Sequence, residues 1–263
     1  MANDLASVKT LLVDLDGTLL GARNLFLRFD FIRKTLRALV PQGSWFRAFR
    51  GLKAMDRVYK EEDASLNLAS LAEAPTNYNR AIQVFSNEFR VSIERAEQIL
   101  ASVMTFVFPK LERHFYPMPG AQKFLEWAKD RYRLVLATNP VWPEEIIKMR
   151  LKWAGVDPSL FSLITHAGIM HAAKPYPNYY REVLQQISCG PGECMLIGNE
   201  IKMDLPAVQV GLPVYIVIPP STKEKPLVVD TVPEAARYGS SAKAWKGSFA
   251  ALQKMLEEAH AGR

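Results

Sequence analysis

Two aspartates two residues apart, Asp14 and Asp16, have the type and spacing in this 263-residue chain that most directly suggest chemistry. They stand in the segment LLVDLDGTLL, directly after an apolar run that predicts a β-strand. Side chains two apart on a strand share a face, so both carboxylates can converge at the strand's carboxyl end, where open α/β sheets bind ligands. Gly17 permits the sharp turn needed there, and Thr18 can close that turn by hydrogen bonding.

A pair of carboxylates in this arrangement can divide the two tasks of covalent catalysis. One carboxylate attacks phosphorus, while the other donates a proton to the leaving oxygen and later removes a proton from water. The alternative is that two acids in a turn cap a helix, but the preceding apolar strand and the following Gly-Thr favour catalysis. We therefore expect Asp14 to be a nucleophile and Asp16 to be a general acid and base.

The elements that must position this pair follow an alternation of strands and helices. Parallel strands that are buried on both faces read as continuous apolar runs. The runs are Lys9 to Val13, Leu134 to Ala137, Cys194 to Ile197, Val214 to Ile218 and, more weakly, Leu160 to Thr165. Helical patterns with Pro and Gly at their ends lie between these runs. The sequence therefore predicts an α/β fold with a Rossmann-like parallel sheet and right-handed crossovers.

Between about Gly21 and His114 the strand runs stop and amphipathic helical patterns replace them. The candidate helices are Asn24 to Val40, Trp45 to Tyr59, Thr76 to Phe89 and Ser92 to Phe106. We expect residues 1–20 and 115–263 to form an α/β core domain, with residues 21–114 forming an inserted all-α domain. Residues 219–226, PPSTKEKP, predict an exposed loop, and the stretch from about Ala242 to Ala259 predicts a closing helix.

Composition and charge narrow the class of protein. Hydrophobic residues make up 49% and charged residues 23% of the chain, as in globular proteins, and no apolar stretch approaches the length of a membrane span. We expect a cytoplasmic protein. The formal net charge is +6, yet residues 23–60 alone hold ten Lys or Arg against two acids, so the basic field is local. Such a field suits an anionic partner: a phosphate ester, a nucleic acid or a membrane surface.

The segment DLDGT resembles the first motif of the haloacid dehalogenase superfamily of aspartate-nucleophile hydrolases, and the resemblance continues along the chain in the expected order. For the second motif, LVLATN offers Thr138, followed by Asn139. A hydroxyl and nearby N–H groups at a strand end can hold phosphoryl oxygens as charge builds during transfer. For the third motif, HAAKPYPNYY offers Lys174, whose ammonium is implied to hold Asp14 and the phosphoryl group together despite their like charge. The resemblance thus implies that Thr138, Asn139 and Lys174 contact the substrate.

The fourth motif of the superfamily is an acidic pair after a strand, and here the chain departs from the commonest form. MLIGNEIKMDL has Asn199 where Gly-Asp is usual, whereas Glu200 and Asp204 reproduce a four-residue acidic spacing seen in part of the superfamily. We favour Glu200 and Asp204 as the metal-side acids, with Asn199 as a neighbouring oxygen donor. The implied cofactor is Mg²⁺, held by Asp14, the Asp16 main-chain carbonyl, one of these acids, the substrate phosphate and water.

The position of the insertion implies a helical cap of the superfamily's first type, which closes over the site and selects the substrate. Its helices interleave arginine with aromatic and aliphatic residues, and an apolar stripe that packs inward is the favoured interpretation. A sharper hypothesis gives Arg28, Arg33, Arg47 or Arg50 a part in substrate binding. Nucleic acid and membrane surfaces are the less favoured partners.

The expectation from the sequence is therefore a magnesium-dependent phosphatase that acts on a small phosphorylated metabolite through an aspartyl phosphate. A phosphomutase differs from it in the acceptor that the cap admits. A carbon–halogen hydrolase on the same fold needs neither magnesium nor a second acid at Asp16. A protein of a different class, a binding or regulatory protein with a weakened metal site, is the further alternative.

Overall fold

The computed structural model of the chain describes residues 5–39, 45–60, 68–218, 230–239 and 243–261. The strands described are β1 (Thr10–Val13), β2 (Leu20–Ala22), β3 (Phe115–Pro117), β4 (Arg133–Leu136), β5 (Leu163–Ile164), β6 (Cys194–Gly198), β7 (Val214–Val217), β8 (Asp230–Thr231) and β9 (Ala244–Gly247). The α-helices described are α1 (Asn24–Leu39), α2 (Trp45–Lys60), α3 (Asn77–Phe89), α4 (Ile93–Val107), α5 (Ala121–Ala128), α6 (Glu144–Trp153), α7 (Pro177–Gln186), α8 (Ile201–Asp204) and α9 (Phe249–Ala261).

Seven of these strands form one sheet in the order β5-β4-β1-β6-β7-β9-β8, and all neighbours are parallel except the edge pair β8 and β9. Strand β1 lies between β4 and β6, with Val13 in register with Leu136 on one side and with Ile197 on the other. Because parallel strands end at the same edge, the residues that follow β1, β4 and β6 meet there. The α/β class and the parallel sheet predicted from the sequence are confirmed.

The central strands are buried on both faces, which explains why they read as unbroken apolar runs. In β1, Leu11 and Val13 point into one apolar cluster while Leu12 points into the cluster on the opposite face. The same alternation places Met195 and Ile197 of β6 on the first side. Two layers of helices therefore cover the sheet and hold its carboxyl edge rigid.

Helices α1 to α4 form a third apolar cluster, which we call the helical insertion (residues 24–107). Helix α4 begins at the predicted cap, where the Ser92 hydroxyl accepts a hydrogen bond from the Arg95 N–H at 3.2 Å. The N-terminus of α3 is tied to the sheet side of the molecule, because the Asn77 N–H donates to the Met170 carbonyl and the Asn77 side chain donates to the Ala172 carbonyl. These bonds fix the helical insertion against the loop that leads to Lys174.

The predicted helices of the insertion are confirmed to within two residues at their ends, although Val40 lies outside the described residues. Residues 219–226, predicted as a loop, also lie outside them. The predicted closing helix is shorter than expected: the segment from Ala244 to Gly247 is a strand beside β7, and the helix begins at Phe249. The sequence analysis also missed the antiparallel pair of β2 and β3, which joins the two ends of the insertion.

Candidate active site

Asp14 lies directly after β1, where its N–H donates to the Ile197 carbonyl at 2.9 Å and so continues the sheet ladder by one residue. Its carboxylate is buried, and one of its oxygens accepts a hydrogen bond from the Lys174 ammonium at 2.8 Å. The Thr18 hydroxyl lies 3.3 Å from the other oxygen. Asp14 is thus held by the turn that follows its own strand and by a cation from a distant loop.

Lys174 joins the predicted nucleophile to the predicted fourth motif. Its ammonium donates to Asp14 at 2.8 Å and to Asp204 at 2.7 Å, and the residue is only 2% exposed. The second oxygen of Asp204 accepts the N–H groups of Asn199 at 3.0 Å and Glu200 at 2.9 Å. Gly198 makes this possible, because a Cβ at that position would lie 2.3 Å from the Asp204 carboxyl carbon.

The electrostatics of this buried group are set by competition between burial and ion pairing. Burial raises the pKa of Asp14 to about 6, although attraction by Lys174 opposes the shift. For Lys174, burial favours the neutral amine, but Asp14 and Asp204 prevail and raise its pKa well above the usual value. At neutral pH the site therefore holds a charged lysine between two carboxylates, with Asp14 predominantly ionised.

Asp16 faces away from this group. Its side chain is 53% exposed, and its carboxylate pairs with the guanidinium of Arg150 on α6, which is only 6% exposed. Burial lowers the pKa of Arg150 to about 10, so the side chain still carries its charge at neutral pH. The sequence analysis missed Arg150. A signal was present, since Ile146, Ile147, Arg150 and Leu151 fall on the buried face of α6.

The fourth motif places Asn199, rather than the side chain of Glu200, against the DLDGT turn. Gly17 adopts a positive φ of 79°, and a Cβ there would lie 2.1 Å from the Asn199 amide nitrogen. The Thr18 hydroxyl is 3.2 Å from the Asn199 side-chain oxygen, so it can donate either to that oxygen or to Asp14. Glu200 is exposed and reaches the rim of the cavity that Asp16 lines. The structure thus brings Asn199 and Asp204 into the site and leaves the Glu200 carboxylate at its edge.

Thr138 and Asn139 follow β4 at the same edge of the sheet. Thr138 is buried, and its carbonyl accepts hydrogen bonds from the Thr165 hydroxyl at 2.7 Å and the Tyr179 hydroxyl at 2.8 Å. The Asn139 side-chain oxygen accepts the Lys174 N–H at 3.2 Å. These bonds join the loops of the predicted second and third motifs into one rigid unit.

The predicted basic substrate contacts of the insertion are placed elsewhere. Arg33 pairs with Asp30 at 3.0 Å, and the exposed Arg50 pairs with Glu88 at 3.2 Å. The side chains of Arg28 and Arg47 lie outside the described residues. Within the described part of the chain, then, no arginine of the insertion lines a cavity next to Asp14 or Asp16.

A magnesium site needs oxygen donors on the side of the turn where Asp14 and Asn199 meet. In the described ranges, no group of three or more His, Cys, Asp or Glu side chains is close enough to hold a metal ion. Magnesium, however, is usually bound by one or two carboxylates with water and substrate phosphate completing its shell. The Asp14 carboxylate and the Asn199 amide oxygen share Thr18 as a neighbour, and both are hard oxygen donors. The donor set therefore fits this ion.

The fold and the site together define a hydrolase with an α/β core and a buried aspartate at the carboxyl edge of its central strand. Residues 8–210 match the family model of haloacid dehalogenase-like hydrolases, and the chain belongs to this family. No curated protein matches the sequence. None of the described helices is long and apolar enough to cross a membrane.

Solved structures that are similar to the chain share its fold. A 2-haloacid dehalogenase from Pseudomonas syringae pv. Tomato is 15% identical with a TM-score of 0.57, covering 95% of this chain and 98% of its own. A predicted phosphoglycolate phosphatase from Haemophilus somnus is 18% identical with a TM-score of 0.52, covering 95% and 98%. A β-phosphoglucomutase described from Thermotoga maritima is 16% identical with a TM-score of 0.51, covering 95% and 99%. These identities establish the fold alone, and the three reactions differ.

Proposed function

We propose that the protein is a magnesium-dependent phosphatase that hydrolyses a small phosphate monoester through a phosphoryl group transferred to Asp14. The observation that carries this proposal is the buried Lys174 ammonium, bonded to Asp14 at 2.8 Å and to Asp204 at 2.7 Å. A carboxylate nucleophile and an incoming phosphoryl group repel each other, and a fixed cation beside both lowers that repulsion. Family membership supports hydrolysis, while the second acid at Asp16 favours phosphoryl transfer.

In the first step an Asp14 carboxylate oxygen attacks phosphorus, and the bond from phosphorus to the ester oxygen breaks. Asp16 gives its proton to that oxygen, so the leaving group departs as a neutral alcohol. The pair with Arg150 keeps Asp16 ionised between turnovers, and the carboxyl must take up a proton before this step. Lys174 and the backbone around Thr138 and Asn139 face the charge that develops on the phosphoryl oxygens.

In the second step water attacks the phosphorus of the aspartyl phosphate, and the carboxylate of Asp14 is regenerated as phosphate departs. Asp16, now ionised, removes the proton from that water. The Arg150 guanidinium suits this half of the reaction, because it stabilises Asp16 as a base. The same residue thus acts as acid and then as base, with one proton gained and one lost per turnover.

In this proposal Asp14, the Asp16 main-chain carbonyl and the Asn199 side-chain oxygen hold Mg²⁺. Glu200 contributes from the rim, and Asp204 acts mainly by fixing Lys174 and the 199–200 backbone. When bound, the ion supplies positive charge that offsets the phosphoryl oxygens. We assign residues 21–114 as the cap domain and residues 1–20 and 115–263 as the core domain, because helices α1, α2 and α4 line the cavity beside Lys174.

The test is phosphate release from a broad panel of phosphate monoesters, with and without Mg²⁺. We expect release that needs the ion, disappears with chelator and is lost in Asp14→Asn. Glu193→Gln is a matched control, since this acid lies on the surface in an exposed pair with Lys9. Release that is unaffected by Asp14→Asn, or no release from any ester, contradicts the proposal and favours the binding protein.

A further inference from the structure

A cavity of about 490 Å³ lies between the helical insertion and the loops that carry Asn139 and Lys174. Its volume is in the range of small-molecule binding sites. Helices α1, α2 and α4 supply one wall, and the segments around Trp142 and Pro175 supply the other. The cavity therefore begins at the residues that hold the proposed phosphoryl group and extends away from them.

The described residues that line this cavity are mainly aliphatic and aromatic, among them Leu39, Leu100 and Met104. In this described lining the one charged side chain is Lys174, and its ammonium is already bonded to two carboxylates. A substrate portion with a second anionic group, or with many hydroxyls, would lose its hydrogen bonds to water here without replacement. An apolar portion would gain from burial instead.

Thr35 is the exception in this apolar wall. It lies on α1, is 3% exposed and lines the cavity. Its hydroxyl has no hydrogen-bond partner within the described part of the chain. A buried hydroxyl without a partner costs stability, so its presence on a cavity wall indicates a partner that arrives with the ligand.

Three aromatic rings separate this cavity from its neighbour. Phe31, Phe108 and Trp142 pack edge to face, with centroids 4.7–5.9 Å apart, and line both cavities. The neighbouring cavity is lined by Asp16 and Arg150 and has a volume of about 750 Å³. An ester oxygen near Lys174 would thus meet Asp16 from the second cavity while its carbon chain enters the first.

We infer that the substrate is the phosphate monoester of an uncharged, largely apolar alcohol or phenol that carries one hydrogen-bonding group. The apolar part fills the cavity beside Lys174, and the polar group binds the Thr35 hydroxyl. Thr35 is then a specificity-determining residue. This inference rests on the proposed function, and it excludes sugar phosphates and bisphosphates as the preferred substrates.

The first experiment compares matched esters with the wild-type protein and Mg²⁺. We expect kcat/KM to rise about fourfold per methylene from ethyl to hexyl phosphate, which corresponds to about 0.8 kcal/mol per buried methylene. We also expect propyl phosphate to exceed glycerol 3-phosphate, and hexyl phosphate to exceed glucose 6-phosphate, by at least about tenfold. A flat chain-length profile, or a preference for the polar member of each pair, overturns the inference.

Two substitutions to tryptophan locate the leaving group. Met104 lines only the first cavity, and Leu27 lines only the second. We expect Met104→Trp to lower kcat/KM for octyl phosphate at least about tenfold and to leave ethyl phosphate nearly unchanged. Leu27→Trp should leave the chain-length profile as it is. If Leu27→Trp truncates the profile and Met104→Trp does not, the leaving group lies in the second cavity and the assignment is wrong.

Thr35→Val tests the polar contact, with Thr105→Val as the matched control because Thr105 is exposed on α4. The substrates are ω-hydroxyalkyl phosphates of four to eight carbons, each compared with the alkyl phosphate of the same length. We expect at least one hydroxylated ester to lose about tenfold in relative kcat/KM in Thr35→Val and to keep its value in Thr105→Val. Unchanged ratios for every chain length overturn the role of Thr35.

Calorimetric binding of n-alkylphosphonates separates a failure of this inference from a failure of the proposed function. These compounds cannot be hydrolysed, so binding does not depend on turnover. Binding that tightens with chain length in a protein that hydrolyses no ester removes the phosphatase and leaves the apolar site. Turnover of esters together with chain-length-independent phosphonate binding removes the apolar site and leaves the phosphatase.

Discussion

Replacing Lys174 by methionine removes the ammonium between Asp14 and Asp204 and keeps most of the side-chain volume. The wild-type lysine makes bonds of 2.8 and 2.7 Å to two carboxylates that are themselves buried. Removing one partner from a buried ion pair costs about 3–5 kcal/mol, since the remaining charge keeps its desolvation penalty. We expect a loss in the free energy of unfolding of that size at pH 7, measured by urea denaturation in chelator.

The pH dependence of this loss follows from the signs of the pKa shifts. In Lys174→Met the carboxylates have folded-state pKa values above their unfolded values, so the variant is most stable at low pH and loses stability as pH rises from about 4. The wild-type pKa of Lys174 is raised, so its contribution persists up to the unfolded lysine pKa of about 10.4. The difference between wild type and variant should therefore widen from pH 4 to pH 8.

Lys9→Met is the control for this experiment, because Lys9 pairs with Glu193 at 2.9 Å and both side chains are exposed. Such pairs contribute at most about 1 kcal/mol. The reasoning is refuted if Lys174→Met loses no more stability than Lys9→Met, or if its loss shrinks as pH rises. Either result would mean that the buried carboxylates do not depend on the lysine.

Three further predictions concern other parts of the site and the insertion. Arg150→Met should lower kcat about 100-fold on an alkyl phosphate but less than tenfold on 4-nitrophenyl phosphate, whose leaving group needs little protonation, because the substitution frees the Asp16 carboxylate; equal losses would place Arg150 outside proton transfer. Thr35→Val should raise the free energy of unfolding by about 1 kcal/mol, read as a higher melting temperature, since the variant no longer buries an unpartnered hydroxyl; a lower melting temperature would show that the hydroxyl has a partner. Asp30 is buried among Lys34, His114, Arg33 and Arg113, which hold its pKa well below the usual value, so Asp30→Asn should cost about 2 kcal/mol above pH 5 and progressively less as pH falls below about 4. The exposed pair of Glu88 with Arg50 supplies its control, Glu88→Gln, and an equal loss in both variants would contradict the special position of Asp30.

The strands that could be predicted from sequence are those whose own residues determine their burial. Strands β1, β6 and β7 are flanked by helices on both faces, so every residue is apolar and the run is visible without knowledge of its neighbours. Strand β9 has the sequence AWKG, and its strand conformation depends on pairing with β7, about thirty residues earlier in the chain. The three-residue pair of β2 and β3 is likewise fixed by long-range contact.

The candidate site shows the same division between local and long-range information. The order of Asp14, Thr138 and Lys174 after successive strands predicts that they meet, since parallel strands share an edge. The fourth motif depends on conformation instead. Glu200 is extended and its side chain is exposed, whereas Asp204 turns back to accept the N–H groups of residues 199 and 200. Residue type and spacing alone could not separate these two acids.

The identity of the nucleophile is the central claim, and a rapid acid-quench experiment with a ³²P-labelled ester and Mg²⁺ tests it most directly. Phosphoryl groups on carboxylates survive acid, so the label can be located by digestion and mass spectrometry. We predict that label accumulates on the peptide that contains Asp14 during the first turnover, decays as phosphate appears and is absent in Asp14→Asn. Phosphate that forms without labelled protein, or label on another residue, would contradict the account.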